Sequence, residues 1–212
     1  MKICFSADWH ISNFGPDKHG PITDRGAACL RVVERLYQLP AALHIGLGDI
    51  FDLDRPSPGL VRALQDRVVK RTALIVGNHD QTSTESTHHA LAPLREQAHI
   101  VEDSEVFVID RLQIGLVGFR KRDEVIDSLG DLEWQELGGP RILGVHLGVV
   151  DDRTPAFLRN ASDSIALNDL VTACQGYGIT HVFAGNWHNP EDWLGDGVRV
   201  CQVGGLIPQR FG

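Results

Sequence analysis

Several things are missing from this sequence, and each absence removes a class of protein. No apolar run reaches the roughly 20 residues that cross a bilayer, so no membrane-spanning segment is expected. The four cysteines, Cys4, Cys29, Cys174 and Cys201, form no CxxC pair and sit in apolar surroundings. They read as buried free thiols rather than as a disulfide framework or a zinc knot. Basic residues are outnumbered, with 20 Lys and Arg against 28 Asp and Glu and a formal net charge of −8. That balance argues against a broadly basic nucleic-acid-binding face, although carboxylates committed to divalent cations also inflate the negative count. There is no internal repeat, no low-complexity tract and no linker, so residues 1–212 read as one domain. Met1–Ala7 is too short an apolar stretch for a signal peptide, with Asp8 and His10 directly behind it. It reads as a first strand, and the expected location is the cytoplasm.

What is present is a series of short apolar runs that end in chemistry-bearing residues. With 42% apolar residues the chain can bury a real core. Lys2–Ala7, Ala42–Leu47, Thr72–Val76, Arg141–Val145 and Ile179–Ala184 read as strands. Thr23 or Asp24 can cap a helix to Leu39, with Ala27, Leu30, Val33, Leu36 and Tyr37 at helical spacing and Pro40 as its stop. Further helices are expected over Leu60–Lys70, over Glu85–Gln97 with a break near Pro93, in pieces over Arg120–Gly139, and over Asn168–Gln175. Ile100–Glu102, Val106–Ile109, Gln113–Phe119 and Val198–Val203 add strands, and Gly148–Ser164 reads as irregular. Alternating strands and helices in the first half give an α/β class. The hairpin-like runs in the middle point to a second, mixed sheet.

Five of these strands end in candidate ligands: Asp8 and His10; Asp49; Asn78 and His79; His146; Asn186 and His188. Each alone has an ordinary explanation. Asp8 is a possible helix cap, Asp49 a turn residue, His146 a satisfied core histidine, and Gly77-Asn78-His79-Asp80 a plain turn. Together they place carboxylate, amide and imidazole groups at one edge of an α/β sheet, where ligands collect. That donor set suits borderline divalent ions such as Mn²⁺, Fe²⁺ or Zn²⁺. It carries no thiolate, so it is not a finger-type zinc site. Asp49, central in order, is the natural bridge between two metals about 3.5–4 Å apart, the spacing that clamps the attacking and leaving oxygens of phosphoryl transfer.

Asp8-x-His10, Gly48-Asp49-x-x-Asp52, Gly77-Asn78-His79-Asp80, a later strand ending in His146, and Gly185-x-x-His188 resemble the calcineurin-like metallophosphoesterases, in the right order over nearly the whole chain. Ser6-Ala7-Asp8-Trp9-His10-Ile11, Gly48-Asp49-Ile50-Phe51-Asp52, His188-Asn189-Pro190 and the segment Val203–Gly212 most resemble the Mre11/SbcD DNA nucleases within that superfamily. The resemblance implies a four-layer α/β/β/α sandwich of two mixed sheets. It implies two divalent ions, of which Mn²⁺ is the expected kind. Asp8, His10 and His188 would hold one, Asn78, His146 and Asn186 the other, with Asp49 bridging. His79 would stay unligated and protonate the leaving oxygen while a cation-activated water attacks in line. The family usually has His where this chain has Asn186, so the second ion is expected to bind weakly.

Asp52 and Asp80 are expected to orient loops or hold hydrogen bonds behind the ligands. Trp9 and His88 are candidate substrate contacts, with His88 and His89 placed on a helix. Arg120-Lys121-Arg122, the only tight basic cluster, reads as a solvated helix start or as a DNA-backbone contact. The expected activity is metal-dependent phosphodiester hydrolysis, with DNA as substrate in repair, recombination or replication. One alternative is a phosphoesterase for a small phosphodiester or nucleotide, and another a non-catalytic binding subunit. The nuclease resemblance also implies a Rad50/SbcC-type ATPase acting in trans and a homodimer. The capping domain of those nucleases is not expected, because the sequence ends soon after the last motif.

Overall fold

The computed structural model describes residues 1–12, 24–82 and 88–207. Its first half alternates β1 (Ile3–Ser6), α1 (Arg25–Gln38), β2 (Leu43–Leu47), α2 (Pro58–Gln65), β3 (Thr72–Ile75) and β4 (His99–Val101). These strands form a four-stranded sheet in the order β1-β2-β3-β4, parallel throughout. Asp24 caps α1 by accepting the Ala27 N–H at 2.9 Å, which satisfies one of the orphan donors of the first turn; the other cap candidate, Thr23, lies outside the described residues. Cys29, Leu30, Val33, Leu36 and Tyr37 turn one buried stripe of α1 onto the sheet.

The second half supplies β5 (Ser104–Ile109), β6 (Leu112–Val117), α3 (Arg122–Asp131), β7 (Arg141–Val145), β8 (Gly148–Val150), α4 (Ala156–Arg159), β9 (Ser164–Ala166), α5 (Leu167–Gly176), β10 (Ile179–Ala184), β11 (Glu191–Gly195) and β12 (Val198–Gln202). Six of these strands make a mixed sheet in the order β11-β12-β10-β7-β6-β5, with antiparallel pairs at both edges. β8 and β9 form a separate parallel ladder. None of the described helices is long and apolar enough to cross a membrane.

Three apolar clusters define four layers. Alternation along β3 sends Ala73 and Ile75 to the seam between the sheets and Leu74 to the α1–α2 side, as the two-residue period of a strand requires. Ile114 and Leu116 of β6 meet Ile45 and Leu47 of β2 in that seam. Phe5 and Phe183 stack across it at 4.0 Å between ring centroids, worth about 0.5–1.5 kcal/mol beyond the area they bury. Leu129, Leu170, Val171 and Cys174 pack α3 and α5 onto the outer face of the second sheet. The result is an α/β/β/α sandwich.

Four expectations change. Within 88–97 the chain forms only a 3₁₀ turn over Ala92–Leu94. Here Pro93 supplies no N–H, Ala90 N–H goes back to the Asp80 carbonyl at 2.7 Å, and His89 bridges to Gln81. His88 and His89 therefore share no helix face; residues 83–87 lie outside the described set. Gly148–Ser164 is not wholly irregular, since it holds β8, α4 and the start of β9. β11 is an unforeseen strand, and the second described helix stops at Gln65 rather than running to Lys70.

Candidate metal centre

Three strands of the first sheet and two of the second deliver their polar termini to one end of the sandwich. Asp8 and His10 follow β1, Asp49 and Asp52 follow β2, Asn78, His79 and Asp80 follow β3, His146 follows β7, and Asn186 and His188 follow β10. Two glycines let these loops nest. A Cβ on Gly77 would fall 2.2 Å from the Asp49 backbone nitrogen. One on Gly48, at φ +84°, would fall 2.4 Å from His146 Nδ1.

Three groups of potential ligand atoms gather here, each within 4.8 Å: Asp8, His10 and His188; Asp8, Asp49 and His146; and His10, Asp52 and His79. Asp8 is common to the first two, and Asp49 of the second reaches toward His10 of the first. Asp49 Oδ1 lies 3.3 Å from His146 Nε2 and its Oδ2 lies 3.5 Å from His10 Nε2. Asn78 Oδ1 sits 2.8 Å from His146 Nε2. His146 Nδ1 donates to the Leu47 carbonyl at 2.6 Å, which leaves Nε2 as the nitrogen facing Asp49 and Asn78. His10 and His188 point their Nε2 atoms at each other, 3.0 Å apart.

The residues fit divalent cations. Asp8 is fully buried, yet its Oδ2 has no hydrogen-bond partner among the described residues. A buried carboxylate oxygen without a donor is costly unless a cation meets it. The charge balance says the same. Burial pushes Asp8 up to about 6. Burial also opposes the Asp49 charge, but His146 and His10 hold that carboxyl well below the usual range. His146, which burial alone would lower, is raised to about 9 by Asp49. Burial, then the neighbouring His10, lowers His188 to about 4. The pocket thus calls for positive charge beside Asp49, and oxygen and imidazole donors surround that place.

Backbone strain marks the same residues. Asp8, His10, Asp49 and Asn186 have positive φ of 50°, 42°, 51° and 76°. Among the described non-glycine residues only Asp110 and Asp196 share that region. Each such residue costs about 1–3 kcal/mol and persists where surrounding structure enforces it, typically at functional sites.

Behind the ligands, Asp52 Oδ1 lies 3.2 Å from His10 Nδ1 and its carbonyl 3.1 Å from His79 Nδ1. Asp80 is fully buried and accepts the N–H groups of Ile50, Phe51 and Gly77, tying the loop after β2 to the loop after β3. Burial and Asp49 push Asp80 up to about 7 against those three donors. His79 is exposed at the mouth, its ring 4.7 Å from that of His10.

Some expected roles do not match the placement. Trp9 is only 1% exposed, donates to Ser6 Oγ at 3.0 Å and packs edge-on against Tyr37, so it is core rather than a substrate platform. His88 is exposed on a loop, not on a helix. Two of the three basic residues of the cluster are committed within the chain, while Lys121 is exposed. Arg120 pairs with Asp103. Arg122 donates to the carbonyls of Ser164, Ala161 and Arg159. Asn186 directs its amide nitrogen at Asp163, a residue no motif or spacing singles out.

Solved structures with this architecture include a putative 5′-nucleotidase from Staphylococcus aureus, at TM-score 0.61 and 12% identity over 96% of this chain and 48% of that one. The chain thus spans about half the length of that protein. They also include the phosphopantetheinyl hydrolase PptH from Mycobacterium tuberculosis, at TM-score 0.58 and 15% identity over 96% and 88% of the two chains. A dimetal phosphatase from Danio rerio has TM-score 0.60 and 13% identity over 97% and 87%. No curated protein sequence matches the chain. The calcineurin-like phosphoesterase profile matches residues 1–190. With that match over most of its length, the chain belongs to the calcineurin-like phosphoesterases and is a metal-dependent phosphoester hydrolase.

Proposed function

We propose that this enzyme hydrolyses a small phosphoester, either a small phosphodiester or a nucleotide, using two cations of the Mn²⁺ kind. The carrying observation is Asp49, whose two oxygens face two separate ligand groups beneath an exposed histidine. Asp8, His10 and His188 would hold one cation, Asn78, His146 and Asn186 the other, and Asp49 both. When bound, such ions polarise a phosphoryl oxygen and lower the pKa of water. The protein supplies the rest. Asp52 orients His10 through its carboxylate, and its carbonyl accepts a hydrogen bond from His79 Nδ1–H. That leaves Nε2 to carry the second proton of an imidazolium and hand it to the leaving oxygen, the ring returning to neutral imidazole with its Nδ1–H in place. Asp80 holds the two loops that carry Asp49 and His79 in register.

Substrate size follows from charge. A polyanion needs free cationic side chains along its path. Here the net charge is −8. Arg95, Arg120, Arg153 and Arg199 are paired with Glu102, Asp103, Asp151 and Asp192. The names of the similar structures, nucleotidase, phosphopantetheinyl hydrolase and dimetal phosphatase, support the same reading. The second reading, a DNA nuclease of Mre11/SbcD type, is favoured by the wording of Ser6–Ile11 and Gly48–Asp52 and by Val203–Gly212, of which 208–212 lie outside the described residues.

The test is turnover with Mn²⁺ of bis-p-nitrophenyl phosphate, a nucleotide panel and labelled linear DNA. Small esters are expected to be hydrolysed and DNA left intact. His79→Ala should lower turnover about 10²–10⁴-fold. DNA cleavage without nucleotide turnover transfers the assignment to the nuclease. Equal rates for wild type and His79→Ala reject the mechanism, and no turnover with cations bound leaves a binding subunit.

A further inference from the structure

The family motif places an imidazole where this chain has Asn186, and a neutral amide is a poorer partner for a cation. The structure surrounds that amide in a specific way. Asn186 Nδ2 donates both to the Asp163 carbonyl, at 3.0 Å, and to Asp163 Oδ2, at 3.2 Å. The Asn186 backbone N–H donates to Asp8 Oδ1 at 3.0 Å. A Cβ on the preceding Gly185 would lie 3.0 Å from His146 Nδ1. The residue is therefore held against the ligand Asp8, one position after a glycine packed beside the His146 ring.

Asp163 is itself held firmly. Its carbonyl also accepts the Gly148 N–H, at 2.9 Å, at the mouth of the β8–β9 ladder. The loop around it is gathered by Arg122, whose guanidinium donates to Arg159, Ala161 and Ser164 carbonyls and whose backbone N–H donates to Ser162. Ser164 Oγ closes the loop onto Leu158 and Ala161 carbonyls. The loop thus fixes the Asp163 backbone, and both its carbonyl and its carboxylate meet the Asn186 amide nitrogen.

We propose that Asp163 is a positioning residue for the second cation: it commits the Asn186 amide nitrogen, so that Oδ1 is the atom left to ligate. An unrestrained Asn presents nitrogen or oxygen with little preference, and only the oxygen accepts a cation. A carboxylate on the NH₂ group also polarises the amide and strengthens the oxygen as a donor. The pair Asp163–Asn186 thus takes the place of the missing imidazole, in the manner of the outer partners that orient metal ligands elsewhere. This rests on the two-cation reading above.

Mn²⁺ alone, titrated calorimetrically into the full chain and followed by the spin-coupled signal of a manganese pair, tests it. Wild type is expected to bind two ions. Asp163→Ala, which keeps the backbone carbonyl and removes the carboxylate, should weaken the second about 10-fold and leave the first within about twofold. Asp163→Asn, whose carbonyl still accepts from the amide, should stay within about threefold of wild type. In an Asn186→Ala background, Asp163→Ala should add nothing, because the two act as one unit. A wild type that binds one ion, an Asp163→Ala that binds two as wild type does, equal weakening of both sites, or additive losses in the double variant would each overturn the proposal. Two ions held in this Asp163-dependent way with no ester turnover would leave it standing and overturn the proposed function instead.

Discussion

Replacing Asp80 should unlock the site without touching a ligand. Its carboxylate has no solvent exposure. Oδ2 accepts from Ile50 at 3.2 Å and Gly77 at 3.0 Å, and Oδ1 accepts from Phe51 at 2.9 Å. Three charge-assisted bonds at about 1.5 kcal/mol each sum to about 4–5 kcal/mol. Relief from burying the carboxylate offsets part of this, so Asp80→Ala should cost about 3–4 kcal/mol. Asp80→Asn can keep its oxygen at the doubly used position and turn its NH₂ against the Phe51 N–H alone. That should cost about 2 kcal/mol. The measurement is urea unfolding in EDTA, so that cation binding does not mask the difference. It should be made at pH 8, above the value of about 7 to which burial and Asp49 push this carboxyl. Equal losses for Ala and Asn, or a loss below about 1 kcal/mol for Ala, would refute the reasoning.

Two further outcomes are expected. Asn186→His should tighten the second cation, because imidazole is the stronger donor for a borderline ion; calorimetry showing unchanged stoichiometry and affinity would refute this. Asp151 should make stability fall in acid. Hydrogen bonds from Arg153 and Trp193 hold its pKa near 2 rather than 3.8, a folded-state value below the unfolded one. Its contribution is therefore present above pH 3.8 and lost as pH falls toward 2. The melting-temperature gap between wild type and Asp151→Asn should close over that window, and a constant gap would contradict it.

The parallel strands were legible because their faces are both buried. β2 and β3 read as continuous apolar runs, and their polar termini stood out. The same rule hid β11: Glu191, Asp192 and Gly195 on an exposed edge give no apolar signal, and pairing with β12 alone makes it a strand. The helix expected over Glu85–Gln97 failed in its described part because local backbone donors are claimed by Asp80 and Gln81. In the site, residues carried by strand ends were readable from position. Trp9 was misjudged because sequence adjacency to Asp8 and His10 says nothing of which way a side chain turns; it faces the α1 side. Asp163 was invisible because long-range bonds from Arg122 and Gly148 set where its loop lies. Arg122 looked like a surface residue for the same reason.

The facing rings of His10 and His188 are separated by 178 residues of chain. No contiguous fragment that stops short of β10 can hold both, and no single sheet can bring them together. Parallel pairing already makes for high contact order and slow folding. The centre therefore completes only after the two sheets have docked along their shared seam. Catalytic competence should be the last property to appear during refolding, after secondary structure and most burial, and cation uptake would serve as a clock for that final step.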